Sequence, residues 1–584
     1  MLDEQVTRKI LVHALENALK FNGKANPKAV LGKILADSPH LKNEIENLMK
    51  SINEVVTQVN LMSVEKQREE FLKLTGGEIS KIKRKEEKQL PPLPNVDKYS
   101  KVVMRLAPYP SGPLHIGNLR MVILNDEYVK RYKGVLYLVY DDTIGSEEKE
   151  ILPEAYDYIK EGLDWLNVKV DKVFYKSDRI PIFYEWCTKL LSDGKAYVCT
   201  CNAEVWRQEY KLKKKDCPCR SQTVNENLDK WEKMLNGVYS EGEAAVRLKT
   251  SMSEPDPALR DHVIMRISDK HHPRVGCKYR VWPLLEFSWA VDDYLLNITH
   301  ILRGKDLIKE DRVEEIIWSL IGVPKREFIH YGRIRFQGLS LSKSKSAKYV
   351  KEGKYKGWRD PRTWSIQSLQ ARGFKPEAIR EAILDLGLSL ADIEYSPEIL
   401  YSFNRRIIDP LVNRLFFVEN PVVLEITGLV GEELKGEPPN HPDFPERGRR
   451  SITLRVENNS TQVYISKSDA EKLTIGDRIR LKDLANIQIT GKGVTHQAVY
   501  LSKTIEEARS QGIKKIIQWV PIHQNIRFEI IMPNGELTNG LAEYEASKLK
   551  VDDVIQFERF GFIRVDKIEI EDNTPRINAF YLHS

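Results

Sequence analysis

Residues 108–118 read Pro108, Tyr109, Pro110, Ser111, Gly112, Pro113, Leu114, His115, Ile116, Gly117 and Asn118, and about 220 residues later come Ser340, Leu341, Ser342, Lys343 and Ser344. A histidine and a small glycine at the mouth of a helix can approach an anion closely, because the free N–H groups and the helix dipole already favour negative charge there. His115 can then donate to a phosphoryl oxygen as charge develops on it. The serine and lysine loop offers hydroxyl and ammonium donors without bulk, which suits a transient clamp on a leaving pyrophosphate. Each stretch also has a plainer reading, the first as a tight turn with a histidine cap and the second as a solvated loop. A third group is Cys199, Cys201, Cys217 and Cys219, two C-x-C pairs whose inner members lie sixteen positions apart. Four thiolates so spaced can close a tetrahedral structural zinc site, with four unrelated thiols as the alternative.

These residues need elements to position them. Around the first stretch the pattern predicts a strand over 102–106, a helix over 116–132 stopped by Gly134, and a strand over 135–140. That is a β-α-β unit, hence a parallel sheet, and ligands of such sheets sit outside the carboxyl ends of the strands. Both the 108–118 turn and Asp141-Asp142 fall at that edge. The alternation is interrupted near 199–280 by the cysteine pairs and short strands over 244–248 and 263–267. It resumes with strands over 298–303 and 328–331 flanking a helix over 310–320. Helical character dominates 363–418, and after the loop-rich 436–445 come short alternating strands over 451–456, 462–465, 477–481, 527–531 and 554–560, a pattern suggesting β-barrels. Residues 1–75 carry helical periodicity, with Ile10, Leu11, Ala14, Leu15 and Ala18 on one stripe.

Size and composition bound the function. A chain of 584 residues, 41% apolar and 30% charged, is a multidomain protein with well-solvated surfaces. It has no run of about 18 apolar residues, so no membrane span is expected. Its N-terminus lacks the apolar core of a secretory signal, which places the chain in the cytoplasm. A net charge of +7 from 91 basic and 84 acidic residues speaks only of a solvated surface. Clusters at 211–215 and 447–450 leave room for a polyanionic partner. Cys187 and Cys277 stand alone and read as ordinary thiols.

Across a split α/β domain the two phosphate-binding stretches reinforce each other. The chain resembles a class I aminoacyl-tRNA synthetase, with His115-Ile-Gly-Asn118 in the place of HIGH and Ser340-Leu-Ser-Lys-Ser344 in the place of KMSKS. Further segments (105–112, 124–126, 141–143, 292–293, 298–300, 303–306 and 357–362) look like the glutamyl/glutaminyl-tRNA synthetase family. The helical start and the β-rich end, with 556–562, look like its archaeal glutamyl branch. The resemblance implies a Rossmann-like catalytic domain with a zinc-bearing insertion, and C-terminal β-barrel domains that bind the anticodon. It implies ATP with Mg2+, glutamate and tRNA(Glu) as substrates, a structural Zn2+ on the four cysteines, and an adenylate intermediate. Arg105 would bind the substrate carboxylate, since a guanidinium makes two parallel charged hydrogen bonds. Asp141 would hold the α-amino group, Arg303 would shape the back of the same pocket, and His115, Gly117 and Lys343 would serve ATP. The chain departs from the family pattern at Val139-Tyr140, Ile144-Gly145 and Asn118, at Ser340, and at Leu285, where a substrate-binding tyrosine is expected. Glutaminyl-tRNA synthetase and a non-catalytic RNA-binding paralogue remain as other readings. The expected domains are a helical one over 1–80, a linker over 81–100, catalytic halves over 101–198 and 286–346 around an acceptor-end insertion over 199–285, a helical connector over 347–435, and the β-barrel region over 436–584.

Overall fold

The computed structural model describes residues 4–20, 23–38, 41, 45–75, 90–145, 150–339, 341–571 and 574–584. The chain divides into two compact units, Met1–Leu90 and Pro91–Ser584. In the first, helices Glu4–Lys20, Pro27–Asp37, Ile45–Asn60 and Val64–Thr75 enclose a core that includes Ile10, Leu15, Ile34, Leu48, Ile52 and Phe71. Asn26 caps the second helix by accepting from the N–H groups of Lys28 and Ala29, with Pro27 at the first helical position, where its missing N–H costs nothing.

The second unit opens on a segment that the composition marks as linker. Residues 81–89 of that stretch lie outside the described residues, while 91–100 pack against the catalytic domain. Tyr128 donates to the Pro91 carbonyl at 2.8 Å, and His300 Nε2 lies 2.8 Å from the Pro94 carbonyl. This stretch pairs with no strand among the described residues, so buried tyrosine and histidine side chains satisfy these two carbonyls.

The catalytic sheet is parallel, as the β-α-β pattern requires. Strands Val103–Leu106, Val135–Tyr140 and Lys172–Tyr175 lie in sequence order, and the parallel pair His300–Gly304 and Glu327–Tyr331 joins the free side of the first, where the Thr299 N–H donates to the Val103 carbonyl at 2.9 Å. Helix Leu119–Arg131 crosses between the first two strands, preceded by the 3-10 turn Ile116–Asn118. Gly134 does not itself turn the chain out of the helix. Lys133 takes the left-handed conformation, at φ 49°, and a Cβ on Gly134 would lie 2.5 Å from the Val102 carbonyl oxygen. The glycine is there for close approach of two backbones.

The insertion carries a four-stranded antiparallel sheet, Ala196–Cys199, Ala245–Leu248, Val263–Ile267 and Val281–Pro283. Further along the chain come helices Ile366–Arg372, Pro376–Leu386 and Pro397–Ile408. The strand-rich region then begins at Arg414 and not after 435, the end of the expected helical connector. Arg414–Leu415 pairs with Val554–Phe557, and Phe417–Glu419 with Leu537–Glu543, to close a seven-stranded sheet with the C-terminal strands. A second seven-stranded sheet is built from Pro421–Thr427 and segments between 460 and 521. Each barrel-like sheet has its own apolar core, around Phe417, Phe528 and Phe557 in one and Leu424, Ile479 and Trp519 in the other. Among the described residues no helix is long and apolar enough to cross a membrane.

Candidate active site

The turn 108–118 lies at the carboxyl edge of the sheet. The Asp141 N–H donates to the Pro108 carbonyl at 3.2 Å, so the loops following the first and second strands meet there. His115 is in extended conformation as the helix cap. Its Nδ1 accepts from the Gly117 N–H at 3.0 Å, and Asn118 Oδ1 accepts from the His115 N–H at 3.1 Å. A cap and a phosphate donor are compatible here. With Nδ1 an acceptor, the neutral ring carries its proton on Nε2, which is thereby a donor. Burial, and then the nearby Lys343 ammonium, push the imidazole down to about 4, so the ring is neutral at physiological pH. A Cβ at Gly117 would stand 2.9 Å from His115 Cε1 and 3.4 Å from Leu341 Cδ1. Glycine at that position lets the histidine ring, the helix mouth and the downstream loop share one small volume.

The turn and the downstream serine and lysine stretch are therefore neighbours in space. Lys343 begins helix Lys343–Lys351, capped by Ser342 Oγ, which accepts from the Lys345 N–H at 3.3 Å. Ser340 lies outside the described residues. The turn is also held from a third quarter: the Ile116 N–H donates to the Trp364 carbonyl at 3.0 Å, and the Ile366 N–H to the Leu114 carbonyl at 2.9 Å. Gly112, at φ +146°, passes the Trp358 ring so closely that a Cβ would lie 3.0 Å from it.

Arg105, Asp141 and Arg303 also come together. Arg105, at the end of the first strand, is buried and makes a two-pronged pair with Asp293, Nε at 2.5 Å and Nη2 at 2.7 Å. Arg303 pairs with Asp311 and reaches Glu314 at 2.7 Å. Both guanidinium carbons stand 4.9 Å from the centre of the Trp289 ring. Glu314 is wholly buried, which pushes its carboxyl up to about 8 against the pull of Arg303. Asp141 has an internal partner, the ammonium of Lys176 at 2.9 Å. Asp142 accepts from the Ser177 N–H and hydroxyl and from the Tyr156 hydroxyl, at 2.9, 2.7 and 3.0 Å.

Sequence reasoning misses Lys176, Ser288, Trp289, Asp311 and Glu314, although one signal was available. Lys176 directly follows a strand of the parallel sheet, the place where such sheets bind ligands. Leu285, in the place of an expected tyrosine, is half-buried at the start of helix Leu285–Leu295.

The four cysteines converge in the insertion, each offering a sulfur within 4.8 Å of the others, and Cys199, Cys217 and Cys219 are buried. Cys201 Sγ and Cys219 Sγ are 3.7 Å apart. Zinc with four thiolates at about 2.3 Å sets neighbouring sulfurs about 3.8 Å apart, so the donor set fits a closed tetrahedral site.

Comparison with known proteins agrees with this geometry. The family described as tRNA synthetases class I (E and Q), catalytic domain, matches residues 101–410, and its two anticodon-binding domains match 412–504 and 516–566. A glutamate--tRNA ligase of Pyrococcus furiosus is 43% identical over 590 aligned positions, covering 99% of this chain and all of that protein. One from Methanocaldococcus jannaschii is 45% identical, covering 96% and 97%. A third, from Methanothermobacter thermautotrophicus, is 42% identical, covering 98% of each. The 108–118 turn, the lysine loop beside it and the barrel-like C-terminal sheets thus fall within one family pattern: the chain belongs to the class I tRNA synthetases of the E and Q type.

Proposed function

We propose that the protein is a glutamate-tRNA ligase acting in the cytoplasm, which joins glutamate to tRNA(Glu) through glutamyl-adenylate. The observation that carries this reading is the approach of Lys343 to His115, in a chain aligned almost end to end with glutamate--tRNA ligases. A glutamate carboxylate oxygen attacks the α-phosphorus of ATP, bound with Mg2+, and pyrophosphate leaves. His115 Nε2–H donates to phosphoryl oxygens as charge builds, and Lys343 neutralises the departing pyrophosphate. Arg105, Arg303 and Asp141 bind and orient the amino acid so that its carboxylate meets the phosphorus. A terminal ribose hydroxyl of tRNA then attacks the adenylate carbonyl, forming the ester and releasing AMP. No residue needs to form a covalent intermediate.

Charging assays with labelled glutamate and labelled glutamine, each with its own tRNA, test the reading. Glutamate is expected to be the charged amino acid, whereas preferential glutamine charging, or none of either, overturns it.

Cys199, Cys201, Cys217 and Cys219 would hold zinc as a structural ion that fixes the fold of the insertion, the part expected to meet the tRNA acceptor end. Purified protein is expected to contain stoichiometric zinc by atomic absorption, and chelation is expected to lower the melting temperature and impair tRNA charging. Metal-free protein that is indifferent to chelators would remove the assignment.

A further inference from the structure

The amino-acid pocket contains a third cation besides Arg105 and Arg303. Lys176 is completely shielded from solvent, with Nζ 2.9 Å from Asp141 Oδ1, 2.7 Å from Ser288 Oγ and 5.1 Å from the centre of the Trp289 ring. Arg105 and Arg303 stand 4.9 Å from that same ring. Three cations thus surround one indole, whose Nε1–H is buried without an acceptor among the described residues.

Each of these cations already has a carboxylate partner before any substrate arrives. Arg105 is matched by Asp293, Arg303 by Asp311, and Lys176 by Asp141. Glu314, whose carboxyl burial pushes up, faces Arg303 at 2.7 Å. The other carboxylates in the field of Lys176 are engaged elsewhere, Asp292 by Arg179 at 2.7 Å and Glu286 by His262 at 3.4 Å. An incoming α-ammonium that turns to Asp141 therefore finds a cation already there, and the two must share one carboxylate. A second carboxylate on the substrate gains from that added cation, and a neutral amide does not.

We infer that Lys176 is a specificity-determining residue, sharing Asp141 with the substrate ammonium so that the pocket favours an amino acid carrying a second carboxylate over its amide. The inference rests on the ligase reading above, and it assigns the selection to a cation at the amino end of the substrate as well as to the arginines.

Lys176→Met keeps most of the bulk and removes the charge. In the full-length protein with tRNA present, KM for glutamate is expected to rise about tenfold with kcat within about twofold, and the glutamate-to-glutamine ratio of kcat/KM to fall about tenfold, the scale of one lost charge interaction partly offset by neighbouring charges. A purely structural lysine would lower both activities together and keep the ratio, which would overturn the inference alone. Should the methionine variant fail to fold, Lys176→Gln retains a donor to Ser288 and is read by the same ratio. Glutamine preferred by the unmodified protein would overturn the ligase reading, and the inference with it.

Discussion

Replacing Lys343 with alanine is expected to slow glutamyl-adenylate formation by about 10²- to 10³-fold, the usual loss when one preorganised donor to a developing charge is removed. The position of the residue makes the case. Lys343 and Lys345 occupy the first turn of a helix that has no acidic residue there. Cations at a helix N-terminus oppose the dipole and are tolerated where an anion comes to meet them. Lys343 also acts on His115, adding to the burial that lowers its imidazole. The variant should therefore fold at least as well as the original, and the His115 ring should titrate at higher pH. Pyrophosphate exchange with saturating tRNA and glutamate measures the loss, and imidazole NMR measures the titration. Undiminished exchange would remove Lys343 from the ATP site.

Arg105→Ala is expected to lower both stability and amino-acid activation, because the residue serves the fold and the substrate together. It leaves Asp293, which has no solvent exposure, without its partner, and breaking a buried pair in this way costs about 3–5 kcal/mol. The double variant Arg105→Met with Asp293→Leu separates the roles. Apolar residues of similar volume often replace a buried pair with little loss, so chemical denaturation should show most of the stability restored. Glutamate-dependent pyrophosphate exchange should stay absent, since the guanidinium that Arg105 offers the substrate carboxylate is gone. A double variant that regains activity would confine Arg105 to the fold.

The features legible in the sequence are those whose signals are local. The turn 108–118 carries its proline, glycine and histidine within one stretch, and the β-α-β unit around it follows from periodicity alone. The cysteine pairs likewise declare themselves by spacing, and their sulfurs converge. Strands Arg414–Leu415 and Phe417–Glu419 do not, because they are short and their partners Gln556 and Ala542 lie more than a hundred residues downstream. Gly134 is visible as a glycine, yet its reason, the Val102 carbonyl against it, belongs to packing. Lys176 is hidden for the same cause. Nothing near it in sequence announces that Asp141, Ser288 and Trp289 will surround it.

The backbone clasp between Leu114–Ile116 and Trp364–Ile366 bears on how the enzyme comes into being. The phosphate-binding turn is made early on the ribosome, whereas its clasp is made 250 residues later. At roughly 5–20 residues per second, the wait is about 12–50 s. During that interval the first catalytic half can form its strands but cannot complete its nucleotide site. An enzyme that supplies aminoacyl-tRNA to ribosomes thus fastens its 108–118 turn only late in its own translation.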